Sequence, residues 1–436
     1  MRGSDDNFIS HSNRPGSKSD AARRFLDSLN QLKRSRRMCY RSEAGDLAHE
    51  LQDLLADIKD ASPDPKTGLQ LLAKFYEADG KIIEQCDDSD GVVGDVFLID
   101  AQQLFDTYAT ACNDKKWLCG IILKLCAGND YGVRDHILDA SGLYFPADLL
   151  RQLADTFVRL GKRELKAHTD DSRHNYRASH YLLLAETVAQ QLKDPGLFEQ
   201  IRLLNREGGC AGWLDIADAY LKAGDAETAL DRAGRESTTN PLTATSRDEL
   251  LLKIHQARGD HKAMTEAAGR LFHAKRTRDN FERLIELVGE TERARILQEE
   301  AACIQRNTAF ELRDAIFLAD MGETAIAEAY IFKHAAQLDG QEYYALPPLA
   351  EQLTEAGHPL GAAVIYRALL EANLAPSISK YYRYGVRYLR ELDRIAPAVS
   401  DWGAFQPHSE YLAALRSKHG RKSRFWELYA KSARRG

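Results

Sequence analysis

Apolar and polar residues in the second half of the chain alternate with the period of an α-helix. In the first example, Trp213, Ile216, Ala217, Tyr220 and Leu221 are spaced i, i+3, i+4, i+7 and i+8, which places them on one helical face. A Gly and a polar residue follow, and then an Ala-rich helical face begins. Between residues 211 and 376 this pattern occurs five times, with its turns at Gly224-Asp225, Gly259-Asp260, Gly289-Glu290, Gly322-Glu323 and Gly357-His358.

The five glycines are separated by 35, 30, 33 and 35 residues, close to the period of about 34 typical of tetratricopeptide hairpins. The fifth residue after each Gly is small or slender, as close helix packing requires: Ala229, Met264, Ala294, Ala327 and Ala362. Each Gly is expected to cap one helix in the left-handed conformation, and the residue after it to open the next. One such hairpin cannot bury both of its apolar faces, so neighbours must stack.

The sequence therefore predicts an all-α fold, an α-α superhelix of tetratricopeptide-like hairpins with an N-terminal helical domain. An ordinary helical bundle is the alternative. The expected domains are a basic, partly disordered arm (1–41), an acidic helical domain (42–206), the hairpin repeats (207–376) and a basic helical cap (377–436). No sustained alternation of period two predicts a strand.

Charge and composition narrow the class of protein. The net charge of −6 shows no overall basic excess, so composition does not indicate nucleic-acid binding. No apolar run reaches the roughly 18 residues of a membrane span, and the N-terminus lacks a signal-peptide core. Seven cysteines without a paired framework are typical of reduced thiols. We therefore expect a cytoplasmic protein that does not bind a membrane.

The charge is unevenly distributed. Residues 43–135 carry nineteen acids against eight Lys/Arg, whereas residues 1–41 carry ten Lys/Arg against four acids, and residues 416–436 carry eight against one. Such polarity can steer a charged partner, or it can let the basic tail dock on the acidic half of the same chain.

An acidic loop, Cys86-Asp87-Asp88-Ser89-Asp90-Gly91, is the first candidate site. Asp87, Asp88 and Asp90 are the oxygen ligands that hard cations prefer, and they also suit a docking site for a basic partner or a solvated loop that caps a helix. An EF-hand is excluded, because Gly91 at its sixth position puts Phe97 where a bidentate Glu is required. A second turn contributes the candidate binding residues Asp130, Tyr131 and Arg134.

The basic C-terminal region is the second candidate site. In the predicted helix 380–394, one face carries arginines at i, i+4, i+7 and i+11, which are Arg383, Arg387, Arg390 and Arg394. The tail after Arg416 is also basic and contributes Arg421 and Lys422. Such a face can neutralise phosphates or can simply be solvated. Tyr381, Tyr384, Tyr388 and Leu392 lie on the opposite face, which we predict to be core.

Other chemistries have no support in the sequence. Cys112, Cys119 and Cys126 are seven apart without a Cys-x-x-Cys pair, so we expect core thiols and not a zinc site. The phosphate-loop, dinucleotide and nucleophile-elbow motifs are missing. We assign no catalytic residue, metal or cofactor, and the oligomeric state is left open.

Four motifs together resemble a bacterial all-helical family known only as a domain of unknown function: the 86–91 loop, Asp130-Tyr131-Gly132, His419-Gly420-Arg421-Lys422 and Phe425-Trp426. The resemblance covers the chain from about residue 42. The C-terminal half also resembles the helical tails behind SWIM-type zinc modules, although the Cys-x-Cys and Cys-x-His pairs of those modules are missing. The resemblance implies a helical-repeat protein and no activity.

Three functions follow as hypotheses. The first is a non-enzymatic scaffold that binds a protein or peptide along the inner face of residues 211–395. The second is a nucleic-acid-associated factor that uses the arginine stripe and the basic tail. The third is a hydrolase or nuclease with Asp87, Asp88, Asp90 and Asp130 around a divalent ion.

Overall fold

A computed structural model describes residues 18–35, 37–61, 64–129, 132–167, 175–205, 212–376 and 378–432. Over these residues the backbone is helical apart from its connections, and its only β-pairing is an isolated parallel bridge between Cys39 and Cys86. The all-α prediction is confirmed. Much of the predicted arm, and the first residues of the predicted repeat segment (207–211), lie outside the described residues.

The chain forms two compact units, residues 1–236 and 237–436. The described helices of the first unit are α1 (Lys18–Arg34), α2 (Ala44–Ala61), α3 (Pro65–Tyr76), α4 (Asp79–Ile83), α5 (Val92–Asp95), α6 (Gln102–Ala111), α7 (Lys115–Ala127), α8 (Ser141–Tyr144), α9 (Ala147–Ala167), α10 (Asn175–Gln191), α11 (Pro195–Leu204), α12 (Trp213–Lys222) and α13 (Ala226–Ala233).

Those of the second unit are α14 (Pro241–Arg258), α15 (His261–Ala274), α16 (Arg278–Val288), α17 (Arg293–Arg306), α18 (Leu312–Asp320), α19 (Thr324–Lys333), α20 (Leu346–Glu355), α21 (Pro359–Leu374), α22 (Tyr382–Ile395), α23 (His408–His419) and α24 (Ser423–Ser432). Short 3₁₀ or π turns join several helices, at Arg41–Glu43, Val96–Ala101, Asp135–Leu138, Glu290–Glu292, Ala335–Gln337, Ser379–Tyr381 and Ala396–Ala398.

The first unit packs its helices around an aromatic core. Phe75 and Phe97 have ring centroids 4.9 Å apart, and Tyr76 contacts Phe105 at 6.3 Å. Around this centre α1 packs on α2, α3 on α6 and α9 on α10. The first predicted hairpin, α12 and α13, also belongs to this unit, because its helices pack on each other and on α11.

In the second unit, sequence neighbours pack as antiparallel pairs: α14 with α15, α18 with α19, and α20 with α21. In addition, α18 contacts α20, and α19 contacts both α17 and α21, so equivalent helices of successive hairpins lie side by side. These contacts stack helical hairpins on one another between α17 and α21, and the predicted packing of helical hairpins is confirmed.

The five predicted turns show why glycine recurs at these positions. All five glycines have a positive φ, between 68° at Gly259 and 99° at Gly289, a backbone conformation that costs other residues a steric clash. The side chain of the residue after the glycine caps the next helix at some of these turns and not at others. Asp225 and Asp260 accept hydrogen bonds from the backbone N–H groups of Thr228 and Ala263, whereas Glu323 makes no such bond.

The third turn departs from the others. Gly289 has ψ of 150°, outside the left-handed helical region, and leads into a 3₁₀ turn at Glu290–Glu292 before α17. Ala294 is exposed here, while Ala229, Ala327 and Ala362 are fully buried in their hairpins. The connection at Gly289 therefore differs in geometry from the other four. Within the described residues, no helix has both the length and the apolar composition that crossing a membrane requires.

Candidate functional site

The second unit contains a cavity of about 960 Å³ where α21 ends and α22 begins. Three segments surround it: the loop before α20, the C-terminal turn of α21, and the first two turns of α22. Its lining residues are Gly340, Gln341, Tyr343, Tyr344, Leu369, Ala372, Asn373, Ala375, Pro376, Tyr381, Tyr384, Arg387 and Tyr388.

Small residues bring the loop close to α21. A Cβ atom at Gly340 would lie 2.0 Å from the carbonyl oxygen of Ala368 and 2.8 Å from the Cβ of Ala372. Only glycine allows this approach, because no side-chain movement can relieve a clash with backbone. The loop can therefore run beside α21 and carry Tyr343 and Tyr344 to the mouth of the cavity.

A second close contact positions the start of α22. A Cβ atom at Gly385 would lie 2.5 Å from Oδ1 of Asn373, so the absence of a side chain lets Asn373 pack against α22. The Nδ2 of Asn373 donates a hydrogen bond of 3.3 Å to the carbonyl oxygen of Tyr381. This bond holds the turn that presents Tyr381 to the cavity.

The tyrosine face of α22 divides in two, which corrects the prediction that it is all core. Tyr388 and Leu392 are buried, at 4% and 0% exposure. Tyr381 and Tyr384, at 40% and 38%, line the cavity and remain open to solvent. Tyr381 and Tyr384 stay open because they face the cavity, whereas Tyr382, on another side of the same turns, packs against Phe425 of α24.

The loop adds two further rings. Tyr343 and Tyr344 are 57% and 85% exposed, and their ring centroids are 4.8 Å apart. Single exposed aromatic residues are common on protein surfaces, whereas several exposed rings grouped around one cavity are typical of a binding site. Neither tyrosine was predicted as a site residue. The available signal was the adjacent pair of aromatics in the polar stretch Gly340-Gln341-Glu342-Tyr343-Tyr344.

The arginine stripe of α22 also divides. Arg390 donates to Ser432 Oγ at 2.9 Å and to the Tyr429 carbonyl at 2.6 Å, and Arg394 pairs with Glu391 at 2.7 Å. Arg383 donates to the hydroxyl of Tyr384 at 2.7 Å, and the guanidinium of Arg387 lies 5.5 Å from the ring of Tyr388. In the described residues, neither Arg383 nor Arg387 has a carboxylate partner, and both are exposed beside the cavity.

The other half of α22 is fixed by polar contacts. Asp393 accepts hydrogen bonds from Tyr429 at 2.7 Å and His408 at 2.9 Å, and it also contacts Arg390 at 3.3 Å. Although burial opposes them, these partners lower the pKa of Asp393. The far end of α22 is thus tied to α23 and α24, and only its first turns face the cavity.

The closing motif is largely structural. Phe425 is fully buried against Tyr382, and the indole nitrogen of Trp426 donates to the carbonyl oxygen of His419 at 3.0 Å. Arg421 is exposed, and Lys422 is partly buried. Neither lines the tyrosine cavity.

The family model described as a family of unknown function (DUF6880) matches residues 13–428. The chain belongs to this family. The predicted resemblance to a helical family of unknown function is thereby confirmed.

The other comparisons add little to this DUF6880 assignment. No curated protein matches the chain. One solved structure, described as a "Circular tandem repeat protein with novel repeat topology and enhanced subunit contact surfaces", aligns over 97% of each chain at 12% identity with a TM-score of 0.20. At that score the similarity supports no conclusion.

In this DUF6880 chain the acidic loop is built by its own hydrogen bonds. Asp88 accepts from the backbone N–H groups of Val93 at 3.0 Å and Gly94 at 2.7 Å, which caps α5. Asp90 forms a two-point ion pair with Arg41, at 2.8 and 2.5 Å, and the hydrogen bond from Arg41 lowers the pKa of Asp90. Asp87 accepts from Ser89. Among the described residues, no three His, Cys, Asp or Glu side chains lie together as a metal site requires.

The prediction that Arg134 is a binding residue requires a correction, because this side chain is buried inside the first unit. It is 7% exposed, and its guanidinium donates to both oxygens of Asp79, at 2.8 and 2.5 Å. These two bonds occupy the N–H groups with which the Arg134 guanidinium would bind a ligand. Asp130 and Tyr131, expected beside it, lie outside the described residues.

Asp106 on α6 has a raised pKa. Its Oδ1 is buried and has no hydrogen-bond partner within the described residues. Burial, and then the charge of Asp139, raise the pKa of Asp106 to about 6. The raised pKa means that the folded state disfavours the ionised carboxylate. The free energy of unfolding should therefore fall as pH rises from the pKa of Asp106 in the unfolded chain, near 4, to its pKa in the folded protein, about 6.

We expect the Asp106→Asn variant to remove this loss, because the amide stays neutral. Its free energy of unfolding should exceed that of the wild type by about 1–2 kcal/mol at pH 7.5 and should match it at pH 4. Urea unfolding at both pH values measures the difference. A variant less stable than the wild type at pH 7.5 would contradict the assignment.

Proposed function

We propose that this chain is a helical-repeat scaffold that binds an acidic peptide segment of a partner protein in the tyrosine-lined cavity between α21 and α22. The observation that carries the proposal is the combination of four solvent-open tyrosines with an exposed arginine that has no carboxylate partner in the described residues. The cavity lies within residues 211–395, the stretch predicted to bind a partner.

The tyrosines supply the contact area. Tyrosine and arginine are the residue types most enriched where binding energy concentrates in protein interfaces. A tyrosine ring buries a large surface, and it loses little conformational entropy because it has only two side-chain torsions. A cavity of about 960 Å³ is at the upper end of the range for small-ligand pockets. It offers room for a few side chains of an extended peptide.

The charges favour an acidic segment. Arg387 lines the cavity, and Lys380 and Arg383 lie 4.9 and 4.7 Å from the rings of the cavity-lining Tyr381 and Tyr384. None of these three cations has a carboxylate partner in the described part of the chain. A carboxylate from a peptide can form a two-point hydrogen-bonded pair with a guanidinium. Since Arg387 itself lines the cavity, we place the acidic side chain of the peptide there.

A peptide is a better partner for this cavity than a nucleic-acid strand. Residues 339–388 carry four Lys/Arg against five Asp/Glu, so the surroundings lack the continuous positive track that follows a phosphate backbone. The basic tail is also partly engaged, since Lys418 pairs with Glu371 at 2.6 Å. Binding to nucleic acid remains the competing outcome in the experiment.

The experiment is a selection of peptides from a randomised library displayed on phage, with the full chain as bait. Enriched peptides are synthesised, and their binding is measured by fluorescence anisotropy. We expect acidic sequences with at least one apolar or aromatic residue. Tyr344→Ala should weaken binding about 10-fold and Arg387→Glu about 100-fold, as expected for central interface residues.

Matched controls come from elsewhere in the chain. Tyr176, which is 64% exposed, and Arg283, on the exposed face of α16, provide Tyr176→Ala and Arg283→Glu. Both controls should bind like the wild type. Peptides that bind Tyr344→Ala and Arg387→Glu as tightly as the wild type would reject the cavity as the site. Tight, salt-sensitive binding of a single-stranded oligonucleotide that Arg387→Glu abolishes would favour the nucleic-acid function instead.

A further inference from the structure

Cys39 and Cys86 are held opposite each other in the first unit. The backbone N–H of Cys39 donates to the carbonyl of Gln85 at 2.8 Å, and the N–H of Asp87 donates to the carbonyl of Cys39 at 2.8 Å. These two bonds form a parallel bridge that pairs Cys39 with Cys86. Paired residues in a parallel ladder have their Cα atoms about 4.8 Å apart and their side chains on the same face.

That geometry suits a disulfide. Bridged cysteines have Cα atoms about 4.4–6.8 Å apart, with Cβ atoms that face each other. Burial, and then the neighbouring Cys39 side chain, raise the pKa of the Cys86 thiol, which agrees with the pairing that the backbone bridge shows. Because backbone hydrogen bonds fix both residues, closing the bond requires little more than rotation of the side chains.

The two thiols differ in access. Cys39 is partly exposed and lines an open cavity of about 330 Å³, whose other walls include Arg37, Glu43 and Gln85. Cys86 is buried. An oxidant from solvent therefore meets Cys39 first, and Cys86 is placed to resolve the product.

We propose that Cys39 and Cys86 form a reversible dithiol–disulfide pair that reacts with a small hydroperoxide. With hydrogen peroxide, the Cys39 thiolate attacks one peroxide oxygen and the O–O bond breaks. The products are Cys39 sulfenic acid and hydroxide, and the proton lost from the Cys39 thiol converts the hydroxide to one water. The Cys86 sulfur then attacks the Cys39 sulfur, the S–O bond breaks, and the hydroxyl leaves with the Cys86 proton as a second water. Two thiols are oxidised, one peroxide is reduced, and a dithiol reverses the reaction by exchange.

The bond would fix the segment after α1 to the acidic loop. Arg41 already pairs with Asp90 in the same region, and a disulfide would add a covalent closure to that surface ion pair. Closing the chain between residues 39 and 86 restricts the unfolded state. We expect oxidation to raise the midpoint of thermal unfolding of the first unit by about 5 °C.

The test treats the reduced full chain with a stoichiometric amount of hydrogen peroxide and maps disulfides by mass spectrometry of a non-reducing digest. The wild type should lose two of its seven thiols, gain a cross-linked Cys39–Cys86 peptide, and recover both thiols with dithiothreitol. Cys86→Ala should stop at a Cys39 sulfenic acid that dimedone captures. Cys39→Ser should form neither product.

Cys303→Ser provides the matched control, since Cys303 is another partly exposed cysteine. This variant should oxidise like the wild type. The proposal is overturned if the wild type gives no 39–86 cross-link, or if dimedone labels Cys303 of the Cys86→Ala variant as readily as Cys39. Because the mapping on the wild type decides the first point, a poorly folding variant leaves the proposal fully testable.

Discussion

Replacing Arg276 by methionine should lower the free energy of unfolding of the second unit by about 3–5 kcal/mol at pH 7.5, the largest effect we expect from a single substitution. Arg276 lies between α15 and α16. Its guanidinium contacts Glu300 on α17 at 2.8 Å and Asp314 on α18 at 3.3 Å. It therefore connects three consecutive parts of the hairpin stack.

Both carboxylates are buried, Glu300 at 6% and Asp314 at 0% exposure. Burial raises the pKa of Asp314, and Arg276 opposes that rise. Methionine fills a similar volume but leaves the two acids without their shared cation. An uncompensated buried charge is costly, because the interior cannot replace its hydration.

The pH dependence gives the prediction a second readout. Without Arg276 the pKa of Asp314 in the folded protein should rise further. Ionisation of Asp314 then destabilises the folded state at every pH above the pKa of this residue in the unfolded chain. The loss of stability should consequently shrink as pH falls from 7.5 to 5. Urea unfolding at both pH values, with amide hydrogen exchange followed in α17 and α18, measures the size and location of the effect.

Arg295→Met is the matched control. Arg295 also contacts two carboxylates, those of Glu292 at 2.7 Å and Glu299 at 2.8 Å, but the group lies on the surface. Its loss should cost far less stability than the loss of Arg276, because solvent screens a surface ion pair. If the two arginine variants lose equal stability, burial of the Arg276 network is not what makes it important.

Arg134→Met should have the second largest effect, about 3–5 kcal/mol in the first unit. Asp79 is 1% exposed and receives both hydrogen bonds of the Arg134 fork. A third bond, of 3.3 Å, joins Arg134 to the carbonyl of Leu125 at the end of α7. The substitution leaves Asp79 charged and buried, and it leaves that carbonyl without this donor.

A double-mutant cycle with Asp79→Asn checks this interpretation. Removing both charges should restore at least half of the loss seen in Arg134→Met, because the isolated charge is the main cost. Arg134→Lys keeps the charge but lacks the fork, so its loss should be intermediate. Arg151→Met removes a surface pair with Asp194 and should cost less than about 1 kcal/mol. Additive effects of the two single substitutions would contradict the pairing.

Local sequence signals predicted the hairpins because they depend on neighbouring residues. The Gly224, Gly259, Gly322 and Gly357 turns need a left-handed residue at one position, and glycine adopts it without a clash. The capping role of the polar residues after these glycines was less predictable. The side chain of Asp225 caps its helix, whereas Glu323, one methylene longer, makes no such bond.

The α22 stripes show where sequence reasoning fails. A helical wheel places Tyr381, Tyr384 and Tyr388 on one face and Arg383, Arg387 and Arg390 on another. It does not show that α21 ends beside the first two turns of α22, or that Tyr429 and Ser432 reach Arg390 from α24. Which tyrosine is core and which arginine is fixed by another helix depends on these distant segments.

By itself the sequence determined the helical class, the positions of the repeated turns and the segregation of charge. These follow from periodicity and from backbone conformations that single residues prefer. Only the tertiary structure decided that Arg134 is an internal partner of Asp79, that Tyr343 and Tyr344 join Tyr384 around one cavity, and that Cys39 faces Cys86. Each of these depends on residues far apart in sequence, and such contacts are set by how whole helices pack.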